Sequence, residues 1–177
     1  PAREFAEGAY NYRTLGLGYA DLGGLLMRLG LPYDSDEGRA LAAAMTALMT
    51  GVAYRTSAEL AVELGPFPRW EVNKSSFMDV MSRHFQAVAS VNVIGDREVS
   101  NRVGIYKIVK AAHDAWSKVV SEKSFRNAQT TLIAPTGTIS FVMDCDTTGC
   151  EPDYALVKHK NLAGGGTMRI VNQAVEP

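Results

Sequence analysis

The sequence predicts a mixed α/β fold in which helices come first and strands follow. Between residues 19 and 124, apolar side chains recur at helical spacing, whereas strand-like runs and loops dominate from about residue 125 onward. A short strand-like segment at 12–18 precedes the first helix. This order is typical of part of a mixed α/β layer or barrel. At 177 residues the chain has the size of one domain, so we expect residues 1–177 to form a single unit.

The helical part divides at glycine and proline residues. The segment 12–18 turns through glycine into a predicted helix at 19–30, which carries a leucine stripe. Capping residues then precede a long helix at 40–52, which continues or restarts over 58–64. The run Gly-Pro-Phe-Pro at 65–68 is a firm break.

The remainder of the chain is predicted to contain two helices followed by strands. We predict helices near 76–90 and at 105–124, separated by an irregular stretch at 91–103. The strands that follow are predicted over QTTLIA, from residue 129, and over 154–160 and 167–172. The strands therefore lie mainly near 12–18 and within 129–172.

Composition excludes several functional classes. Eighteen basic and nineteen acidic residues give a net charge of -1, which argues against a nucleic-acid-binding protein, since such proteins need a local excess of Lys and Arg. No apolar run is long enough to span a bilayer, and the first residues do not form a signal peptide, so we expect no membrane partner and a cytoplasmic location. With no initiator Met, the chain is expected to be a piece of a larger protein.

The segment PTGTIS, residues 135–140, has the chemistry of an anion-binding loop. Phosphate needs many donors, which exposed backbone amides at a helix start supply. Pro135 fixes φ, Gly137 allows a bend, and the hydroxyls of Thr136, Thr138 and Ser140 surround that bend. The alternative is a plain helix cap in which a threonine satisfies the free amides, and the local pattern alone favours it. The segment lacks the GK[ST] ending of a P-loop.

Other reactive residues give weaker signals. The histidines His84 and His113 lie near helical stripes, and a packed or half-exposed side chain is favoured over a ligand role for both. An acidic loop between 144 and 153 has the oxygen ligands a cation needs, but its spacing is not that of an EF-hand and a turn-forming loop is favoured, so no metal site is predicted. Cys145 and Cys150 are too few for a disulfide framework or a four-cysteine zinc site.

Read as one string, residues 126–166, RNAQTTLIAPTGTISFVMDCDTTGCEPDYALVKHKNLAGGG, closely resemble the adenosylcobalamin-dependent ribonucleotide reductases. The upstream stretches 13–61 and GPFPRWEVN, residues 65–73, resemble the same family in the same order. Several long motifs in one order are far more specific than any short pattern. The resemblance covers nearly the whole chain and is weakest around 86–104.

The resemblance implies a fold and a reaction. The fold would be the C-terminal part of the ten-stranded α/β barrel of the large reductase subunit. The parent enzyme would be an oxidoreductase that converts ribonucleotides to deoxyribonucleotides for DNA replication. In it, adenosylcobalamin generates a cysteine thiyl radical that abstracts the 3′ hydrogen, and a cysteine pair supplies electrons. The implied partners are the ribonucleotide, the remainder of the chain, a dithiol reductant such as thioredoxin, and, as one option, a second copy in a homodimer.

The resemblance also assigns a substrate site, because the matching loop in the family holds the substrate's phosphates through amides and hydroxyls. The residues assigned to substrate binding are Pro135, Thr136, Gly137, Thr138, Ile139 and, with less support, Ser140. Arg126, Asn127 and Gln129 are expected to support the strand and loop. Cobalamin contacts stay unknown.

No catalytic residue is assigned to this chain. The family's radical cysteine lies in an Asn-x-Cys-x-Glu setting, which does not occur among these 177 residues, and neither does the C-terminal Cys-x-x-Cys tail. Cys145 belongs to the DCDTTG motif, and Cys150 replaces an expected aliphatic residue. We expect the isolated chain to be inactive. The alternative function is a non-catalytic split or remnant subunit that mainly associates with the missing half of the barrel.

Overall fold

Helices dominate the computed structural model, which describes residues 2–91 and 97–175. The helices are α1 (Arg3–Tyr12), α2 (Leu22–Arg28), α3 (Asp36–Leu64), α4 (Trp70–Ser90), α5 (Arg97–Arg102), α6 (Ile105–Val119) and α7 (Ile139–Val142). The strands β1 (Val157–Asn161) and β2 (Thr167–Val171) form an antiparallel hairpin, and a 3₁₀ turn follows at Gln173–Val175. This mixture is consistent with the predicted α/β class.

Most of the predicted elements are confirmed, with shifted ends. The helices predicted at 19–30 and 105–124 are shorter, and the predicted 40–52 and 58–64 segments form one continuous helix, α3. The two C-terminal strands lie where the sequence placed them. Of the irregular stretch predicted at 91–103, residues 92–96 lie outside the described ranges, but 97–102 form α5, so the prediction is wrong there.

The described residues group into two compact units. The first contains described residues within 1–17 and 40–132, and the second contains those within 18–39 and 133–177. The N-terminal part of the first unit contains α1, which the sequence analysis missed. None of its described side chains is buried, although its sequence is amphipathic.

The predicted strands at 12–18 and from 129 are only partly formed. The two segments run parallel and exchange main-chain hydrogen bonds, from Leu15 N to Gln129 O at 2.8 Å and from Leu132 N to Leu17 O at 2.9 Å. Only Leu17 and Thr131 form a β-bridge. Each segment has one hydrogen-bonding neighbour here, so pairing is confirmed but a continuous ladder is not present in the described chain.

Aromatic packing makes the core of the first unit. The rings of Trp70, Phe77, Trp116 and Phe125 are all buried and pack between α3, α4 and α6. Phe77 and Phe125 lie 4.8 Å apart between centroids. The Trp116 indole donates to Ala47 O at 2.9 Å, so its one polar group is satisfied inside the core.

The residues before the predicted anion loop support the parallel pair. The Asn127 side-chain amide donates to Arg13 O at 2.7 Å, and its carbonyl accepts from the Ser57 hydroxyl at 2.9 Å. Arg126 donates to the carbonyls of Leu64 and Gly65 at 2.8 and 3.0 Å. The expected supporting role of Arg126 and Asn127 is therefore confirmed for the strand.

Candidate functional site

The segment Pro135–Ser140 forms an exposed turn in the second unit and leads into the short helix α7. We call residues 135–140 the PTGTIS loop. Ser140 is buried, Ile139 is 56% exposed, and Gly137 and Thr138 are also exposed. The middle of the loop is therefore exposed, and its last residue is buried in the protein.

The bend of the loop lies at Thr136, which has φ 48°. Gly137, which was expected to allow a bend, lies in the same turn but is not among the residues with positive φ. A Cβ placed on Gly137 would meet no heavy atom within 4 Å. The fold of the described residues therefore does not require glycine at 137.

The hydrogen bonds inside the loop leave three consecutive amides free. Ser140 N donates to Thr136 O at 3.0 Å, and the Ser140 hydroxyl donates to Gly137 O at 2.9 Å. Within the described structure, the N–H groups of Gly137, Thr138 and Ile139 make no hydrogen bond. Such free amides occur in the first turn of helices in general, and they are the donors that an anion at a helix start uses.

The threonine hydroxyls do not cap these amides. Thr138 is the residue before α7 and makes no side-chain capping bond. The Thr136 hydroxyl donates to Pro135 O at 2.9 Å, so it is directed at a carbonyl group. The plain-cap interpretation therefore lacks the hydrogen bond that it requires among the residues described.

A second loop, residues 145–149, holds the base of the PTGTIS loop in place. Gly149 N donates to Pro135 O at 2.9 Å, and Cys145 N donates to Ser140 O at 3.0 Å. The second loop is anchored in turn, since Thr147 N donates to Asp21 Oδ1 at 2.8 Å. Sequence reasoning missed Asp21, whose partner is 126 residues away in the chain.

A cavity of ≈ 510 Å³ opens beside this loop. Gly137, Thr138 and Ser140 line it, together with residues of the second loop and of the β-hairpin. Pro135, Thr136 and Ile139, which were also assigned to the substrate, are not among its lining residues. The volume lies within the range of small-molecule sites, which is about 300–1,000 Å³.

The acidic residues near the cavity are paired with protein groups. Asp146, whose side chain is 2% exposed, forms an ion pair with Arg28 Nη2 at 2.8 Å. Asp153 forms an ion pair with Lys158 Nζ at 2.8 Å. Burial acts to raise the pKa of Asp153, but hydrogen bonds from Lys158 and Asn172 outweigh it and hold that pKa below its usual value. The described residues contain no group of three His, Cys, Asp or Glu side chains able to hold a metal ion.

Both histidines lie against aromatic rings but stay exposed, and the two thiols are unpaired. The His84 ring stacks on Trp116 at 5.4 Å between centroids, and His113 lies 5.1 Å from Phe85. Cys145 and Cys150 are both unpaired and partly exposed. Burial raises the pKa of the Cys145 thiol, which makes it a weaker nucleophile at neutral pH.

The whole chain, residues 1–177, matches the family model described as "Ribonucleotide reductase, barrel domain". The chain therefore belongs to the family of ribonucleotide reductase barrel domains. Among curated proteins, it is 53% identical to a vitamin B12-dependent ribonucleotide reductase of Agrobacterium fabrum, over 99% of the chain and 14% of that relative. A protein of the same name from Bradyrhizobium diazoefficiens is 52% identical over 99% of the chain and 15% of its own length.

A third relative of that name, from Streptantibioticus cattleyicolor, is 47% identical over 99% of this chain and 28% of its own length. The chain thus spans well under a third of the length of the curated relatives it matches. The match itself confirms the resemblance on which the site assignment depends. None of the described helices is long and apolar enough to cross a lipid bilayer.

Proposed function

We propose that this chain is part of the catalytic barrel of an adenosylcobalamin-dependent ribonucleotide reductase, in which the PTGTIS loop binds the phosphates of the substrate. The observation that carries the proposal is the set of three unpaired amides at Gly137, Thr138 and Ile139. They lie in the loop that the family resemblance assigns to phosphate. The relatives' shared name supports ribonucleotides as the substrate class.

The chemistry of the loop suits a phosphate group. A phosphate has several acceptor oxygens, which backbone amides can bind without a charged side chain. Consecutive amides with a nearby hydroxyl therefore provide hydrogen-bond donors for these oxygens. Thr138 contributes both an amide and a hydroxyl, and it lines the cavity. Gly137 adds no side chain where the anion approaches. The loop therefore supplies donors without steric cost.

In the intact enzyme the reaction would replace the ribose 2′-hydroxyl with hydrogen, and adenosylcobalamin would supply the radical chemistry. The residues around the ≈ 510 Å³ cavity, whose volume lies within the range of small-molecule sites, include none that is assigned to the cofactor. We assign them to holding the substrate only, and the radical cysteine to a part of the enzyme outside these 177 residues.

The parallel pair at 12–17 and 128–132 supports a place in the barrel wall. Parallel strands occur almost only in sheets covered on both faces, and here the pair has exposed leucines, with Leu15 47% and Leu17 50% accessible. Neighbouring strands from the remainder of the reductase chain would complete the ten-stranded barrel and cover them. Residues 1–177 would then be one fragment of a single catalytic domain.

The alternative function, a non-catalytic split or remnant subunit, uses the same exposed apolar surface for association. The two proposals differ in whether the reading frame also encodes the Asn-x-Cys-x-Glu loop. For the intact enzyme we further propose a cytoplasmic location, reduction by a dithiol protein such as thioredoxin, and assembly into a homodimer. The family resemblance supports these three statements.

The phosphate assignment is tested by Thr138→Ala in the intact reductase. Loss of a hydroxyl that meets a phosphate oxygen should weaken nucleotide binding by about 1–3 kcal/mol and leave nucleoside binding unchanged. Thr167→Ala is the matched control, because Thr167 lies in the same unit and does not line the cavity. Calorimetric titration with CDP, CTP and cytidine measures the difference. An unchanged nucleotide affinity in Thr138→Ala would return the loop to a structural role.

A further inference from the structure

The two carboxylates and two lysines that line the ≈ 510 Å³ cavity balance in charge, and Arg28, which pairs with one carboxylate from outside the lining, adds one positive charge. The cavity contains the carboxylates of Asp146 and Asp153 and the ammonium groups of Lys158 and Lys160. Arg28 neutralises Asp146 at 2.8 Å, and Lys158 neutralises Asp153 at 2.8 Å. Lys158 also donates to Asp146 O at 2.7 Å, so its ammonium is committed to the protein. After these two ion pairs are counted, Lys160 is the remaining charged residue of the cavity lining.

Lys160 has no carboxylate partner among the residues that the structure describes. Its ammonium lies 3.9 Å from the centroid of the Phe141 ring, which holds it by a cation–π contact. Phe141 belongs to α7, directly after the PTGTIS loop, and lines the same cavity as Gly137 and Thr138. The contact therefore places a half-buried positive charge in the wall that also carries the unpaired amides.

We propose that Lys160 is the cationic contact of the substrate's phosphates at the PTGTIS loop. This inference rests on the proposed function of the loop and names a residue that the loop sequence does not contain. Three neutral amides can orient a phosphate but leave its charge uncompensated, whereas an ammonium group compensates one unit of it. The Phe141 ring holds the side chain before the ligand arrives, so less conformational entropy is lost on binding.

The test compares charge variants within one hairpin of the intact reductase. Lys160→Gln removes the charge, Lys160→Arg keeps it, and Arg169→Gln removes a charge from β2 at a residue that does not line the cavity. Affinities for CDP, CTP and cytidine are measured by calorimetry at low and high salt. Lys160→Gln should lose about tenfold in nucleotide affinity at low salt, with less loss at high salt and none for cytidine. Lys160→Arg should retain most of the affinity, and Arg169→Gln should match the parent protein.

The outcomes separate this inference from the function on which it rests. If Thr138→Ala weakens nucleotide binding while Lys160→Gln does not, the loop binds phosphate and the assignment of Lys160 is wrong. If neither variant changes nucleotide affinity, the phosphate site itself is wrong. An equal loss for CDP and cytidine in Lys160→Gln would mean that the lysine acts through the hairpin fold, which also overturns the proposal.

Discussion

A methyl group at Gly149 is expected to disturb the base of the PTGTIS loop. A Cβ at this residue would overlap the carbonyl oxygen of Ala134 and would lie 3.0 Å from Glu151 Oε2 and 3.3 Å from Pro135 O. The Ala134 carbonyl would have to retreat by about 1 Å to regain van der Waals separation. Because Gly149 N also bonds Pro135 O at 2.9 Å, that movement strains the contact that anchors the loop.

The magnitude of the Gly149→Ala effect follows from two opposing terms. Overpacking against backbone costs about 1–3 kcal/mol, since a carbonyl group cannot rotate away as a side chain can. Alanine also reduces the conformational entropy of the unfolded chain, which stabilises the folded state by about 0.4–1 kcal/mol. This gain applies here because Gly149 does not have positive φ. We therefore expect a net loss of about 1–2 kcal/mol in the free energy of unfolding.

Urea unfolding followed by circular dichroism measures this loss, because both tryptophans, Trp70 and Trp116, lie in the other unit and do not report on the loop. Gly164→Ala is the matched control: its Cβ would meet nothing within 4 Å, and its φ is not positive. That variant should be neutral or slightly stabilised. If Gly149→Ala proves as stable as Gly164→Ala, the loop base is not held as tightly as the geometry indicates, and the anchoring argument is refuted.

Two further predictions concern pH and turnover. Burial, aided by Arg83, lowers the pKa of His84, so the folded state resists protonation, and stability should fall as the pH drops through the unfolded value of about 6.5. His84→Phe keeps the stacking on Trp116 and should flatten that dependence in urea titrations between pH 7 and 5; an unchanged slope would assign it to other groups. The isolated 177-residue chain should not reduce ribonucleotides when given adenosylcobalamin and a dithiol, and any deoxynucleotide detected by chromatography would contradict the assignment of the radical cysteine to another segment.

The sequence predicted the elements whose signal is local. The helices α3 and α4 were predicted from apolar residues at helical spacing, and the break at 65–68 follows from its glycine and prolines. The helix α1 was missed although its sequence is amphipathic, with Phe5, Ala9 and Tyr12 at helical spacing. The left-handed conformation of Thr136 was missed because threonine disfavours it, and the adjacent glycine was the more natural choice from sequence.

The composition of the site was only partly predictable for a different reason. The PTGTIS loop is a contiguous motif, and the family resemblance identified it directly. The roles of Asp21, Gly149 and Lys160 depend on contacts between distant segments, such as the 126-residue separation of Asp21 and Thr147. The alternation of Lys158 and Lys160 along β1 did place both on one strand face, but it could not show that, among the described residues, Lys158 has a carboxylate partner and Lys160 has none.

The most direct test of the central claim is a crystal structure of the intact reductase with CDP or CTP bound. The account predicts phosphate oxygens within hydrogen-bond distance, about 2.7–3.2 Å, of the amide nitrogens of Gly137, Thr138 and Ile139. It also predicts the Thr138 hydroxyl on the same phosphate. A nucleotide whose phosphates lie away from residues 135–140, with these amides bonded to water or protein, would contradict it.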